Sequence, residues 1–540
     1  MTGQAYKRAT VAGEYDAIVI GSGIGGLTAA ALLARHAAAR VLVLERHYTA
    51  GGFTHVFSRP SFEWDVGVHY VGRVNDPRSP ERAAFDYVTS GRLHWNALPD
   101  VFDRVRIGER RFDFAAGTER FREDLRREFP AERKAIDGYL AAVHAVARAS
   151  GLFWAEKVVP PPIARLAGNA MRASFLRYAR RTTAQVLDDF TMNRELRAVL
   201  TAQWGNYGLP PSRSSFAMHA IIAHHYLEGA AFPVGGAAGI AAAIAPEIEG
   251  AGGAIVVSAD VREILVDAER AVGVRMSDGR EIRAKIIVSD AGAAVTFGSL
   301  IPAVAAARAH TADALRLLEP SMAHLCLYLG LSGPASGGDV VANNFWVHPS
   351  ADFDANVARS AADPGAAFPL LFISYPSAKD PTFAARLPDR ATAEIVVPAP
   401  FAWFKRWTKT RWKHRGAEYD AFKAELTDRI LAQFAAHAPD ASRRITYAEL
   451  STPLTTEHFV GAPRGAIYGA GATPARFESR ALRPRTPIRG LFLTGADACS
   501  EGVTGALFGG VMAASAILGR NLLSDIARNR AVGRAPAAAR

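Results

Sequence analysis

The sequence predicts an α/β fold in which a buried parallel sheet is combined with a mixed or antiparallel sheet and with helical insertions. A β-rich run at residues 15–20 meets a cluster of glycines and then a helix-forming stretch at residues 27–36. A second β-rich run follows at residues 40–44, which completes the β-α-β pattern of a parallel sheet. Further β-rich runs at residues 324–331 and 393–397 suit a sheet of the other kind. The 540 residues of the chain leave room for two or more cores.

The composition is that of a globular protein with a basic surplus. Hydrophobic residues make up 49% and charged residues 21% of the chain, and 63 Lys and Arg against 52 Asp and Glu give a formal net charge of +11. This balance suits an anionic partner such as a membrane surface, a nucleic acid or an acidic ligand, although a large enzyme can carry such a charge without one. We expect disorder only in residues 1–14 and from about Asn529 onwards.

Targeting and metal-binding signals are weak. The N-terminus lacks the apolar core of a signal peptide, and the apolar stretch at residues 17–34 is better explained by a buried strand and helix than by a membrane span. Cys326 and Cys499 fit a reducing cytosol and have no metal-binding spacing. The adjacent His224 and His225 would point apart on a helix. We therefore expect a cytoplasmic protein with no metal site, with peripheral attachment to the inner face of the membrane as a second hypothesis.

The glycine cluster after the first β-rich run has the GxGxxG spacing of a dinucleotide site. Gly21 would allow the tight turn, Gly23 the approach of backbone to a pyrophosphate, and Gly26 the packing of helix on strand. Glu45, at the end of the second β-rich run, lies where an acidic side chain accepts hydrogen bonds from the adenosine ribose. The alternative is a glycine-rich packing turn with a surface Glu. We predict a Rossmann-like domain of the glutathione reductase type, with its site formed by Gly21, Ser22, Gly23, Ile24, Gly25, Gly26 and Glu45.

The residues after Glu45 favour FAD over NAD as the ligand. Arg46 and the paired Gly51 and Gly52, with Phe53 after them, resemble the extended flavoprotein fingerprint E-R-x(4)-G-G, in which the glycines let the chain pass close to the FAD. No second GxGxxG motif follows a β-rich run downstream. A flavin reduced by NADPH through a second dinucleotide domain is therefore disfavoured.

The far end of the chain supplies another strand, turn and helix. Residues 488–493 are β-rich, and the sequence TGAD and a small-residue helix follow up to residue 518. The N-terminus of that helix, with Val503 and Thr504, would face the flavin edge that gains negative charge on reduction. Gly495 and Asp497 complete this half of the predicted cofactor site, although Asp497 also suits a helix cap or a turn.

Together these motifs resemble the phytoene desaturase-like flavoproteins, and within them the branch of retinol saturase and plant-type carotenoid isomerase. The resemblance covers residues from about 14 to 520, and the runs DVGVHY (residues 65–70) and PSAKDP (residues 376–381) are most like the saturase branch. Ala496 departs from the Gln expected in retinol saturases. The resemblance implies FAD, an elongated tunnel, a long hydrophobic polyene substrate, and contact of the backbone near Val261 with the adenine. Further segments that carry it are residues 62–64, 232–236, 373–375, 451–455 and 482–484.

We expect two discontinuous domains. The FAD-binding domain would comprise residues 1–76, 232–300 and 484–540, and the substrate-binding domain residues 77–231 and 301–483. The first insertion has a helical pattern, and the second has the β-rich pattern of an antiparallel sheet that covers a ligand. Expected helices lie at residues 119–129, 132–150, 183–189, 237–249 and 419–436, and expected strands at residues 254–258, 261–266, 273–276, 282–288 and 370–374, with a hairpin turn at Asp278-Gly279.

The predicted activity is oxidoreduction of carbon–carbon double bonds in a long polyene, by saturation, desaturation or isomerisation. His69 and Tyr70 are the candidate catalytic residues, since saturation requires a proton donor beside the flavin; Glu228 and Tyr468 are weaker candidates. Each of these side chains could instead be structural. Alternatives are an FAD-dependent amine oxidase relative, for which the basic charge is unfavourable, and a non-catalytic prenyl-binding protein on the same fold.

Two segments suggest contact with lipid. Residues 401–415 mix Trp and Phe with Lys and Arg, and residues 154–181 mix apolar residues with Arg; both compositions suit a headgroup layer. A basic exterior with buried tryptophans explains them equally well. No nucleic-acid module accompanies these segments, so a nucleic-acid partner is not expected. The sequence does not identify the electron partner.

Overall fold

The computed structural model describes residues 2–9, 15–311, 315 and 319–531. One part of the molecule is organised around a six-stranded sheet in which every neighbouring pair of strands is parallel. The central strands are buried on both faces, which explains their unbroken apolar sequences. In spatial order the strands are Gln4–Ala5, Ala254–Val257, Val41–Leu44, Ala17–Ile20, Ile286–Ser289 and Leu491–Leu493.

Three helices form one hydrophobic cluster with a face of this sheet: Ile24–Ala37, Ala238–Glu249 and Gly502–Leu518. The first and the last of them approach closely because glycines lie at the crossing. A Cβ atom on Gly510 would lie 2.5 Å from the carbonyl oxygen of Gly25 and 2.6 Å from Cβ of Thr28. The helices Pro80–Thr89 and Leu522–Ala531 lie against this layer.

A small antiparallel sheet packs against the parallel sheet. The two sheets share a hydrophobic cluster that is distinct from the cluster formed with the three helices. Its strands are Val261–Asp267, Arg270–Met276 and Glu281–Arg283, and the hairpin predicted at Asp278-Gly279 joins the last two. The single strand predicted over residues 282–288 is wrong, because the chain leaves this sheet after Arg283 and enters the parallel sheet at Ile286.

The second large sheet has seven strands. All neighbours are antiparallel except Val101–Ile107 and Asn344–His348, which run parallel. The first insertion, predicted to be helical, thus also supplies two strands, in which apolar and charged residues alternate. In spatial order the strands are Ile445–Ser451, His324–Ser332, Arg390–Pro398, Leu371–Ser374, Asn344–His348, Val101–Ile107 and Arg110–Ala115.

Helices and short strands cover the second sheet and connect it to the first. The longest is Arg133–Glu156, which pairs with Pro161–Ala179 and Phe216–Tyr226 around a core rich in Phe and Tyr. The other helices are Thr118–Glu128, Thr183–Leu187, Arg194–Thr201, Ala293–Val295, Ala303–Arg308, Phe353–Ala362, Pro376–Lys379, Phe383–Arg386, Ala417–His437, Pro439–Arg443, Pro453–Val460 and Pro474–Glu478. The remaining strands are Val56–Arg59, Phe62–Asp65, Val71–Gly72, Trp95–Ala97 and Ala230–Pro233.

Parts of both chain ends for which disorder was predicted form regular structure. Residues 1, 10–14 and 532–540 lie outside the described part of the chain. Within it, Gln4 and Ala5 pair with Val256 and Val257, and a helix extends to Ala531. The expectation of disorder was therefore wrong for residues 4–5 and 529–531.

No single helix in the described ranges is long and apolar enough to cross a membrane. The helix pair Gly502–Leu518 and Leu522–Arg528 meets the length and composition criteria only when combined across a bend of 114°.

Candidate functional site

A cavity of about 1070 Å³ lies between the two large sheets. One half is lined by the glycine loop, the ends of the parallel strands and the start of the helix Gly502–Leu518. The other half is apolar and is lined by Met322, Trp346, Leu370, Phe372, Val396, Pro398 and Ile467. The volume slightly exceeds the range of about 300–1,000 Å³ that is typical of ligand pockets.

The glycine loop forms a cradle that no larger residue would allow. Gly21 has a φ of 94°, a conformation in which a side chain is strained. A Cβ atom on Gly25 would lie 2.5 Å from Cα of Gly495, and one on Gly26 would lie 2.5 Å from the carbonyl oxygen of Gly21. The N-cap residue Gly23 of the helix Ile24–Ala37 supplies no side-chain cap, so the N-terminus of this helix can receive a phosphate. These features fit a bound dinucleotide.

Glu45 lies in the cavity wall and its carboxylate is held in place. Oε2 accepts hydrogen bonds from the backbone N–H of Ser22 at 2.8 Å and from its hydroxyl at 2.6 Å, and Oε1 accepts from the N–H of His47 at 2.7 Å. The ribose contact predicted for Glu45 would use the remaining lone pairs of these oxygens. Arg46, Gly51, Gly52, Phe53 and Val261 also line the cavity, and Arg46 donates to the carbonyl of His458 at 3.1 Å.

Asp497 connects two loops at the second half of the cradle. Its Oδ1 accepts from the N–H of Ala470 at 2.9 Å and its Oδ2 from the N–H of Ala293 at 2.7 Å. The carboxylate therefore positions backbone around the cavity, in agreement with the turn role considered from the sequence. Gly495 and Val503 line the cavity, whereas Gly26 and Thr504 lie behind its wall. The helix Gly502–Leu518 begins at the cavity, as predicted.

Asp290 lines the cavity and is not among the site residues that the sequence predicts. It follows the strand Ile286–Ser289 and sits against Gly21, Gly26 and Gly495. The pKa of its carboxyl is raised to about 8, chiefly by burial and also by the nearby Glu45 and Asp497, while the N–H groups of Gly26 and Gly23 oppose the rise. A buried strand end followed by Asp is the signal that could have identified it.

His69 is the ionisable side chain at the boundary with the apolar half. Its ring lines the cavity with 16% of the side chain exposed, and its Nδ1 lies 2.9 Å from Oε2 of Glu394, which is fully buried. Burial, and then the Lys379 ammonium, lower the pKa of His69 to about 3. Burial raises the pKa of Glu394 well above its usual range. His324 lines the cavity as well.

Lys379 is the buried cation next to His69 and Glu394. Its Nζ donates to the carbonyl oxygen of His69 at 2.8 Å and to Oγ of Ser374 at 2.7 Å, and also to Oδ1 of Asn344. Burial lowers the pKa of Lys379 to about 7, against the opposing charges of Glu394, Asp103 and Asp65. The neighbouring Asp380 pairs with Arg386, whose Nη1 lies 2.7 Å from Oδ2 of Asp380.

Tyr70 lies behind the cavity wall rather than in it. Its hydroxyl donates to Oδ2 of Asp103 at 3.0 Å, and Asp103 also accepts from Trp346 at 2.9 Å and from Asn344 at 2.8 Å. This buried cluster supports the wall that carries His69. Among the weaker candidates, Tyr468 lines the cavity and donates to the carbonyl of Gly205 at 3.1 Å. Glu228 instead accepts from the hydroxyl of Thr118 at 2.7 Å near the surface.

The two lipid-contact candidates differ in exposure. In the segment 401–415, Phe404 and Trp407 are buried, and Trp412 stacks on His458, so its aromatic residues mostly serve the core. The other segment forms the end of a helix pair, where Leu152, Ile163 and Leu166 are 60%, 49% and 91% exposed. Only this second segment presents an apolar surface beside basic side chains such as Arg165.

Comparison with known proteins gives consistent results. Residues 24–314 match the family of flavin-containing amine oxidoreductases. An all-trans-retinol 13,14-reductase of Danio rerio is 38% identical, over 96% of this chain and 88% of that protein. A chloroplastic prolycopene isomerase of Arabidopsis thaliana is 26% identical, over 95% of this chain and 84% of that protein.

The solved structures agree on the fold. A cyclohexylamine oxidase from Brevibacterium oxydans superimposes with a TM-score of 0.57 and 16% sequence identity, covering 96% of this chain and 99% of that chain. This level of identity supports the shared α/β flavoprotein fold and says nothing of the substrate.

Proposed function

The chain belongs to the flavin-containing amine oxidoreductases, in the branch of the all-trans-retinol 13,14-reductases, and from this premise we propose that it saturates one double bond of a retinoid-like polyene. It is an FAD-dependent oxidoreductase that acts on carbon–carbon double bonds of polyenes. The observation that carries the proposal is the apolar half-cavity, walled by Trp346, Leu370 and Phe372, which continues directly from the glycine cradle. A rigid apolar ligand can bind against such a wall without leaving buried polar groups that lack a hydrogen-bond partner.

The cofactor would be held by the residues of the cradle. Gly21 to Gly25 would contact the pyrophosphate, Glu45 the ribose, and the start of the helix Gly502–Leu518 the flavin edge. When bound, FAD supplies the hydride chemistry. The chain's own residues exclude water from the apolar half, orient the polyene against the flavin, and deliver a proton from the cavity wall. We assign that proton delivery to His69, because its ring reaches the cavity while the hydroxyl of Tyr70 is bonded to Asp103.

An amine substrate is less compatible with this wall. Lys379 lies directly behind His69 and is itself a cation in its protonated form. A substrate amine near His69 would add a second positive charge in a buried site, which is costly. A non-catalytic prenyl-binding protein would have no need of the complete cradle.

Variants of the two candidate residues test the assignment. We expect His69→Gln to keep FAD and to lose about 10²-fold or more of the saturation rate, the usual range for loss of a general acid. Tyr70→Phe should keep most of the rate, because only a supporting hydrogen bond is lost, and should lower stability by about 1 kcal/mol. Anaerobic turnover with all-trans-retinol and a chemical reductant measures both. A Tyr70→Phe variant as slow as His69→Gln would move the catalytic role to Tyr70.

We also propose that the exposed apolar surface at Leu152, Ile163 and Leu166 contacts a lipid surface on the cytoplasmic side. Exposed apolar side chains beside Arg165 match the apolar and anionic layers of a membrane interface. A bilayer is where a long polyene dissolves, so such contact would bring the enzyme to its substrate.

The predicted domain division remains part of this proposal. Residues 1–76, 232–300 and 484–540 would form the FAD-binding domain, and residues 77–231 and 301–483 the substrate-binding domain. The strands Val101–Ile107 and Asn344–His348, one from each substrate-side insertion, share one sheet, which supports the assignment of both insertions to one unit.

A further inference from the structure

One buried carboxyl group closes the side of His69 that faces away from the cavity. Nδ1 of His69 and both carboxyl oxygens of Glu394 are inaccessible to solvent and have no hydrogen-bond partner of good geometry, and Oε2 of Glu394 lies 2.9 Å from Nδ1. The exposed 16% of the side chain therefore belongs to other ring atoms. A partner on Nδ1 determines which nitrogen carries the proton and how the ring is oriented.

Lys379 lies next to this pair and connects it to the rest of the wall. It donates to the carbonyl of His69 and to the side chains of Asn344 and Ser374. The Nζ charge is therefore fixed close to both His69 and Glu394. A buried carboxyl that can lose its proton needs such a compensating cation nearby.

We propose that Glu394 holds a proton in reserve for His69, so that the two side chains deliver a proton to the substrate as a relay. In the resting state the Glu394 carboxyl donates to Nδ1, and the neutral imidazole carries its own proton on Nε2, which faces the cavity. This inference rests on the proposed function, because it assigns a source to the proton that His69 delivers.

The relay is balanced in protons and charge. Nε2 releases its proton to a substrate carbon, and Nδ1 takes the proton of Glu394 Oε2. The imidazole remains neutral throughout, and the negative charge is left on Glu394 near the Lys379 ammonium. A proton from solvent is then taken up at Nε2 through the cavity, and the Nδ1 proton returns to Glu394, which restores the resting pair.

The electrostatic surroundings favour the neutral resting pair over an ion pair. The pKa of His69 is lowered and that of Glu394 is raised, both chiefly by burial. These directions favour the shared proton on the carboxyl over the imidazole. The other titratable groups that face the pair are Asp65, Asp103, Cys326, Tyr328, His324 and Lys379.

A conservative substitution separates the relay from simple positioning. The amide of Glu394→Gln can still donate to Nδ1 and keep the ring oriented, but it cannot give up a proton. We expect kcat to fall about 10²-fold, with KM for all-trans-retinol and the flavin absorption unchanged. Glu449→Gln is the matched control, because Glu449 lies two strands away from Glu394 in the same sheet and pairs with Arg59 outside the cavity. Wild-type kcat in Glu394→Gln would overturn the relay.

The unmodified enzyme provides a second test that does not depend on the folding of a variant. Two protons move in the relay, so kcat measured in mixtures of H₂O and D₂O should follow a curved, bowl-shaped dependence on the deuterium fraction. A straight line would mean that one proton moves, and would overturn the proposal.

Infrared spectroscopy distinguishes failure of this inference from failure of the proposed function. Beside the bands of other buried carboxyls such as Asp290, the wild type should show a protonated-carboxyl C=O band that shifts in D₂O, is lost in the difference spectrum of Glu394→Gln and persists in Glu449→Gln. If that band is present but no polyene is converted, the proposed function fails and the protonation of Glu394 stands. If the band is unchanged in Glu394→Gln, the carboxyl is ionised at rest and the relay is wrong.

Discussion

Single glycines determine how closely the two halves of the cofactor cradle approach each other. Gly25 faces the backbone of Gly495 with no space for a methyl group, although the two residues lie near opposite ends of the chain. Where backbone meets backbone, a side chain cannot be accommodated by a change of rotamer.

We therefore expect Gly25→Ala to reduce FAD occupancy strongly, since its Cβ would lie 2.5 Å from Cα of Gly495. The ratio of flavin absorbance to protein in the purified variant measures this. The control is Gly151→Ala, a helical position at which an added Cβ atom would meet nothing within 4 Å, and this variant should keep FAD and gain about 0.5–1 kcal/mol of stability. Full FAD occupancy in Gly25→Ala would contradict the close approach.

Asp290 should make the stability of the FAD-free protein depend on pH. Its pKa is about 8 in the folded protein against an ordinary value of 3.8, so the folded state favours the protonated form. The stabilisation is complete below pH 4 and is lost as pH rises towards 8. Between about pH 5 and pH 8, the wild type should therefore lose about 2 kcal/mol or more relative to Asp290→Asn. Unfolding midpoints of both proteins across this range test the prediction, and parallel curves would refute it.

The glycine loop and Glu45 could be predicted because a local spacing encodes them, whereas Glu394 and Lys379 could not. Glu394 lies inside a strand whose apolar pattern it interrupts, and its partner His69 is far away in the chain. Such a pair is visible only once the strands are in register. Asp497 was assigned to the correct loop, but its contacts with Ala293 and Ala470 depend on segments that the sequence does not connect.

At the level of helices and strands, the crossing of the helices Ile24–Ala37 and Gly502–Leu518 links the two ends of the chain. The N-termini of both helices line the same cavity, so their separation sets the width of the cradle. Small residues at the crossing serve the same purpose as the glycines of the loop.

Gly510→Ala should move these helices apart. Its Cβ would lie 2.5 Å from the carbonyl of Gly25, and overpacking of this kind typically costs about 1–3 kcal/mol. Thermal unfolding with and without added FAD measures the loss, which should be accompanied by weaker FAD binding. An unchanged unfolding midpoint would mean that the crossing is loose.

Strands whose neighbours are local in sequence were predicted more accurately than those that change sheets. The helix and hairpins of residues 237–283 lie within a few residues of their predicted positions. The strand predicted at 282–288 divides between two sheets, because continuous β-rich sequence does not show where the chain turns. The strands Val101–Ile107 and Arg110–Ala115 were missed although their alternating apolar and charged residues are typical of half-buried strands.

For the molecule as a whole, the two sheets meet at one cavity, and an exposed apolar surface lies on the helices that cover it. The end of the helix pair Arg133–Glu156 and Pro161–Ala179 carries this surface and would be the part of the molecule that contacts the lipid layer. Single exposed apolar residues are common on protein surfaces, whereas a group of three on one helix pair indicates a contact site.

Loss of the apolar surface should weaken membrane binding without altering the site. We expect Leu166→Glu to reduce flotation with anionic liposomes several-fold, and FAD content to stay unchanged, because Leu166 is 91% exposed. Met192→Glu is the matched control, since Met192 is 76% exposed on another part of the surface. Equal flotation of both variants would argue against this contact.

The central claim is that the enzyme delivers a hydride and a proton to one double bond of a polyene. The measurement that tests it most directly is the visible spectrum of the purified protein during anaerobic incubation with a chemical reductant and all-trans-retinol. A bound flavin spectrum, with the retinoid absorption moving to shorter wavelength as the conjugated system shortens, is the predicted result. A flavin spectrum with the retinoid absorption moving to longer wavelength, or remaining unchanged, would contradict the claim.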